Sequence, residues 1–174
     1  MRYRFAAFCF MVTVAVLSPP QLAHGQQNRR SSPDNRPTDE QELKKGLMGV
    51  WQLVDGYNQG RKLTPEEIAG TTVVVKDLSM ITYDVNQRER YRAKYILDTS
   101  SDPAEVTMMA EVDGKPPGKA LGILKTVQAE GEQRISGWTL CYGLPGHPRP
   151  ETFESPPGSG VMLFRMERSK VPRN

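Results

Sequence analysis

Short runs in which apolar and polar residues alternate with period two recur from residue 49 to residue 167. Tyr91, Ala93, Tyr95 and Leu97 alternate with Arg92, Lys94 and Asp98. Val106, Met108, Ala110 and Val112 alternate with Glu105, Thr107 and Glu111. Met162, Phe164 and Met166 alternate with Leu163, Arg165 and Glu167. Period two puts each apolar set on one face of a strand. Trp51, Leu53 and Tyr57 read as one face of an earlier strand, and Trp138, Leu140 and Tyr142 as one face of a later one. Further strands are expected over 71–76, over 80–85 and around Leu121 and Ile123. The sum is about eight strands separated by turns such as the one at Gly60 and the one over 113–118.

Consecutive strands joined by tight turns, each with one apolar face, form an antiparallel meander. About eight of them can close into an up-and-down barrel with room for side chains or one small ligand. A two-sheet sandwich gives the same periodicity, so the pattern alone leaves both open. The expected class is all-β: an antiparallel up-and-down barrel preceded by a short N-terminal helix. That helix follows from Thr38 and Gln41, which fit a capping box, and should stop near Gly46. A one-turn helix is expected after Thr64, with Pro65 at its first position and Gly70 just past its end.

The first 25 residues read as a cleavable signal peptide. Arg2 and Arg4 precede an apolar run from Phe5 to Leu17, and Ala23 and Gly25 offer small residues before a cut at Gln26. The run is too short to span a bilayer comfortably, so no stable membrane insertion is expected after cleavage. The chain should be exported, to the periplasm or beyond the cell. Residues 26–41 are assigned to a flexible linker, 42–168 to the barrel domain and 169–174 to a tail. Cys9 leaves with the leader, so Cys141 is the one cysteine of the mature chain and no internal disulfide can form. The formal net charge of +3 includes Arg2 and Arg4, which leaves the mature chain nearly balanced. Such balance argues against a nucleic-acid partner.

Gly49-Val50-Trp51 resembles the G-x-W motif of lipocalin-type barrels. In that family the Trp closes one barrel end beneath a basic residue near the last strand, a role that would fall to Arg168. A guanidinium on an indole contributes about 0.5–2 kcal/mol. The wider sequence resembles a lipocalin-like domain family of secreted planctomycete proteins. The matching stretches include 47–51, 95–98, 140–142, 158–160 and, most distinctively, 145–153, where Pro145-Gly146-His147-Pro148-Arg149-Pro150-Glu151-Thr152-Phe153 stands. The resemblance covers about residues 43–168 and departs over 124–138, where residues 126–133 replace a tight turn. It implies a barrel and an exported location and brings no established activity.

Candidate site residues follow from chemistry. Tyr57, Tyr83, Tyr91 and Tyr95 read as inward aromatics that would line a pocket with hydroxyls, or be core with partnered hydroxyls. Met108, Met109, Met162 and Met166 would give adaptable apolar walls, or plain core. Arg149, stiffened by Pro148 and Pro150 and with Glu151 two residues on, either stands at the barrel mouth to bind a carboxylate or phosphate or pins its loop to the barrel by pairing with a carboxylate or capping loop carbonyls. Cys141 and His147 could form a thiol–imidazole pair, against which stands burial of Cys141 as a small strand residue. Together with Phe153 they make up the loop motif, and Gly49, Trp51 and Arg168 the barrel closure. Asp55, Asp84, Glu105, Glu111 and Asp113 lack metal-loop spacing, so no metal and no cofactor are expected.

The sequence therefore reads as an exported barrel binding a hydrophobic or amphipathic small molecule, without catalysis. Two other readings stand beside it. One is a solid barrel that contacts an envelope or exported protein through the Pro-rich loop 144–157. The other is a thiol-dependent enzyme using Cys141 and His147.

Overall fold

A computed structural model describes residues 39–110, 118–129, 131 and 134–169. The leader, the linker up to residue 38, most of the turn over 113–118 and the tail from residue 170 lie outside the described residues. Helix α1 (Asp39–Leu47) begins inside the stretch assigned to the linker, so Asp39, Glu40 and Gln41 form its first turn instead. Acidic residues at its start and Lys44 and Lys45 at its end both favour the helix dipole. Leu47 is buried, Leu43 packs on the core, and Lys44 pairs with Asp77 at 2.9 Å.

The strands are β1 (Gly49–Asn58), β2 (Arg61–Lys62), β3 (Thr72–Val75), β4 (Ser79–Tyr83), β5 (Glu89–Asp98), β6 (Ala104–Ala110), β7 (Gly118–Gln128), β8 (Ile135–Gly143) and β9 (Val161–Arg168). They pair antiparallel in the order β1-β3-β4-β5-β6-β7-β8-β9, and β9 pairs back onto β1. That last ladder, from Trp51 opposite Arg168 to Asn58 opposite Met162, closes the sheet. The fold is thus an eight-strand antiparallel barrel with β2 as an extra strand against the far end of β1. A sandwich is ruled out by that closure.

Helix α2 (Pro65–Ile68) is held by a complete capping box. The Thr64 N–H donates to the Glu67 carboxylate at 2.8 Å, and Arg61 grips the same carboxylate at 2.8 and 2.9 Å. The Arg61 bonds, then the Thr64 N–H, hold the Glu67 carboxyl at about 2, well below its usual range. The hairpin at 124–138 is longer in strand than the sequence implies. Thr126 and Val127 pair with Trp138 and Gly137, and the register shifts only at Val127/Gln128.

Inward side chains from all around the barrel make one core, with Trp51, Leu97, Val106, Leu124, Trp138 and Met166 among them. The face of each residue follows from the alternation except where a bulge intervenes. One bulge matters for the site. On β1 the register slips between Leu53 and Asp55, so Gly56 lies opposite Phe164 and Tyr57 opposite Leu163. An extra residue in one strand moves everything after it to the other face.

Candidate functional site: an apolar cup above a closed barrel end

The barrel is plugged at the end where α1 enters. The Trp51 Nε1–H donates to the Leu47 carbonyl at 2.7 Å. The Arg168 guanidinium lies 4.3 Å above the Trp51 ring and donates to the carbonyls of Gly46 and Ile135, each at 3.1 Å. One cation thus satisfies a helix-end carbonyl and a strand-end carbonyl while covering an indole. Gly49 permits this approach. Its φ is +134°, and a Cβ there would sit 3.3 Å from an Arg168 guanidinium nitrogen. The rings of Trp51 and Trp138 meet edge to face at 85° with centroids 6.0 Å apart.

Beside this plug the interior opens into a cup of about 260 Å³. That is just under the ~300–1,000 Å³ of most ligand pockets. Leu53, Val73 and Met80 line it from β1, β3 and β4. Met108, Leu140, Phe164 and Met166 line it from β6, β8 and β9. Its polar atoms belong to Thr71, Thr82, Tyr91, Tyr142 and Trp138, and no lining side chain is charged. Burial raises the Tyr91 phenol above its ordinary pKa. It raises the Tyr142 phenol further, with the neighbouring Tyr91 adding to the effect. Both hydroxyls are therefore neutral, and able to donate, through the physiological range. A larger hollow of about 480 Å³ lies at the β8–β9 end and is lined by Arg134, Arg165 and Glu167 as well as Trp138. Four charged side chains line that hollow, Arg168 among them, whereas the cup is lined by uncharged and mostly apolar residues. The cup is the better small-molecule site on that ground.

Of the tyrosines and methionines singled out in the sequence, Tyr91, Met108 and Met166 reach the cup. Tyr95 points inward but sits in the core: it is 5% exposed, and its hydroxyl donates to the Lys76 carbonyl at 3.0 Å. Burial, then the Asp77 charge, pushes its pKa up to about 12. Two tyrosines do not face inward. Tyr57 is turned to the outer wall by the β1 bulge and shares a shallow hollow with Phe153, Lys125 and Leu163. Tyr83 follows Thr82, which lines the cup, and so lies on the opposite face of β4. Met109 likewise alternates with Met108 and faces out. The residues that sequence reasoning did not assign to the site are Val73, Thr82, Tyr142 and Trp138 above all. The alternation that marks Leu140 and Tyr142 as a single face was the available signal for the last two.

The Pro-rich loop is a strap on the outer wall rather than a cover over the barrel mouth. Arg149 lies across β6 and β7. It pairs with Glu105 at 3.0 Å and donates to the carbonyls of Val106, at 2.9 Å, and Gly122. Its partner is thus Glu105 on the barrel, while Glu151 is exposed. Phe153 lies under the Lys125 ammonium, 4.4 Å from ring centroid to nitrogen. Cys141 alternates with the cup-lining Leu140 and Tyr142, so it faces outward, beneath the strap. It is fully buried, and its thiol meets the Glu154 carbonyl at 3.5 Å. Burial raises its pKa to about 11, the opposite of what a nucleophilic thiol needs. His147 is exposed, and its ring lies against Gly160, where a Cβ would collide with it. The thiol and the imidazole are therefore not joined as a catalytic pair.

Among the described residues one buried side-chain polar atom lacks a hydrogen-bond partner, the Nε1 of Trp138, a residue that lines both the cup and the β8–β9 hollow. No protein-family model, curated protein or solved structure matches the chain.

Proposed function

We propose that this protein is an exported, lipocalin-like barrel that holds a hydrophobic or amphipathic small molecule in the cup and performs no chemistry on it. The observation that carries this reading is the half-open cup of about 260 Å³ walled by apolar side chains from β1, β3, β4, β6, β8 and β9. A core packed to ordinary protein density leaves few voids larger than a water molecule. Apolar walls left facing water in a cup of this size favour an apolar guest that removes them from it. Its walls include Met80, Met108 and Met166, whose unbranched side chains adapt to a guest's shape.

Contact with another protein through residues 144–157 has less behind it. Arg149, Phe153 and Glu154 are engaged with the barrel wall, which leaves the strap fewer groups to offer a partner.

Native mass spectrometry of the protein purified from its own source tests the reading. The expected result is a mature chain beginning at Gln26 that carries one small molecule, released on gentle denaturation. Val73→Trp, which puts an indole into the cup, should fold and carry none. A wild-type chain of clean apo mass that also fails to take up any apolar probe would overturn the carrier reading. A mass that retains residues 1–25 would overturn cleavage of the leader.

A further inference from the structure

We infer that the cup selects an uncharged ligand bearing a hydrogen-bond acceptor, and that the acceptor takes the indole N–H of Trp138. This rests on the cup being the binding site and specifies what it would bind.

Charge is the first argument. A carboxylate or ammonium entering the cup would leave water and meet hydroxyls, thioethers and hydrocarbon, with no opposite charge among the lining residues. Burial of an unpaired ion is strongly unfavourable, and neutral donors offset little of it. A neutral guest loses far less.

The second argument is the orphan donor. Trp138 is 1% exposed, and its Nε1 has no acceptor. Buried N–H groups are nearly always paired, and leaving one unpaired has a definite cost. The other indole of the same barrel, that of Trp51, is paired at 2.7 Å with the Leu47 carbonyl. Trp138 differs from it in lining a space that a guest can enter. An ester, ketone, ether or alcohol oxygen of a guest would supply the missing acceptor. Indole N–H is a donor only, so the ligand group must be the acceptor.

Three probes of one shape separate these claims: 2-acetylnaphthalene, with a neutral acceptor, 2-ethylnaphthalene, with none, and 2-naphthoate, with a charge. Equilibrium dialysis at pH 8 should rank the acetyl compound about tenfold tighter than the ethyl one, the increment of one well-made hydrogen bond. The naphthoate should bind at least about tenfold more weakly than the acetyl compound. Trp138→Phe should bring the acetyl affinity down to the ethyl level and leave the ethyl affinity unchanged. In the wild-type protein the indole N–H resonance of Trp138 should move on addition of the acetyl compound and stay in place with the ethyl one. That readout does not depend on the variant folding.

Equal affinity for acetyl and ethyl probes, or naphthoate binding as tight as acetyl, would overturn the inference and leave the cup reading intact. An acetyl preference that survives Trp138→Phe would overturn the role given to this indole. Failure of all three probes to bind would overturn the cup reading and the inference with it.

Discussion

The closed end of the barrel and the cup beside it are built from similar side chains and differ in how their polar atoms are used. At the closed end the Trp51 N–H meets the Leu47 carbonyl, and Arg168 meets two further carbonyls while covering the Trp51 ring. In the cup a second indole, edge to face with the first, holds a buried N–H that meets nothing. Full satisfaction marks the end that stabilises the barrel. An unsatisfied donor on a residue that lines the cup marks the part with capacity left for a ligand.

The largest effect should come from breaking the satisfied end. Trp51 is fully buried, so Trp51→Ala should cost about 3–5 kcal/mol, enough to unfold a marginal domain. Chemical denaturation reads this directly. A midpoint within experimental scatter of the wild type would mean that the plug does not hold the barrel. The comparison sharpens with the two indole-to-phenyl changes. Trp51→Phe strands the Leu47 carbonyl, whereas Trp138→Phe removes a donor that had no partner. Ring area lost is the same in both, so Trp51→Phe should be the more destabilising by about 1–3 kcal/mol. Equal losses would show that the Trp138 N–H has an acceptor after all.

A smaller effect is expected at the strap, on the outer wall behind the cup. Arg149→Ala loses bonds to two strand carbonyls and a partly exposed ion pair with Glu105. The cost should be about 1–2 kcal/mol, mostly from the carbonyl bonds, because the exposed pair is screened. Cys141 provides the local reporter, since it is buried beneath the strap with its thiol on the Glu154 carbonyl. Its reaction with a thiol reagent should speed up in Arg149→Ala, while probe binding in the cup stays unchanged. Unchanged labelling would separate the strap from Arg149. A loss of cup binding would show that the strap shapes the cup through β8.

The fold was open to reading because its signal is repeated. Alternation in strand after strand gives the same answer each time, so an error in one run leaves the barrel intact. The site residues had no such redundancy. Tyr57 continues the period of Trp51 and Leu53 by sequence, yet a single bulge between Leu53 and Asp55 puts it on the outer wall. Nothing local in Leu53-Val54-Asp55 announces that bulge, which is fixed by pairing with β9. Arg149 between two prolines is legibly stiff, but stiffness has no direction. Only the register of β6 against β7 puts Glu105 and the Gly122 carbonyl within its reach. The Trp138 donor is less legible still, because a missing partner is a property of every surrounding residue and of none alone.

Alkaline stability isolates the strap from the plug. Burial raises the Cys141 thiol from an ordinary value of 9.0 to about 11, against a smaller opposing effect of the Glu154 carbonyl. The folded pKa lies above the unfolded one. Between them the unfolded chain has released the proton and the folded chain still holds it, so stability falls as pH rises. The contribution is therefore fully present below pH 9, declines from about pH 9 to 11, and is gone above. Tyr95, raised from 10.0 to about 12, adds a similar decline over a window one unit higher. Cys141→Ala should flatten the Tm profile in the lower window and leave the upper one in place. Parallel profiles for the variant and the wild type across pH 9–11 would mean that water reaches the thiol beneath the strap. The outer wall behind the cup would then be looser than the plug at the other end.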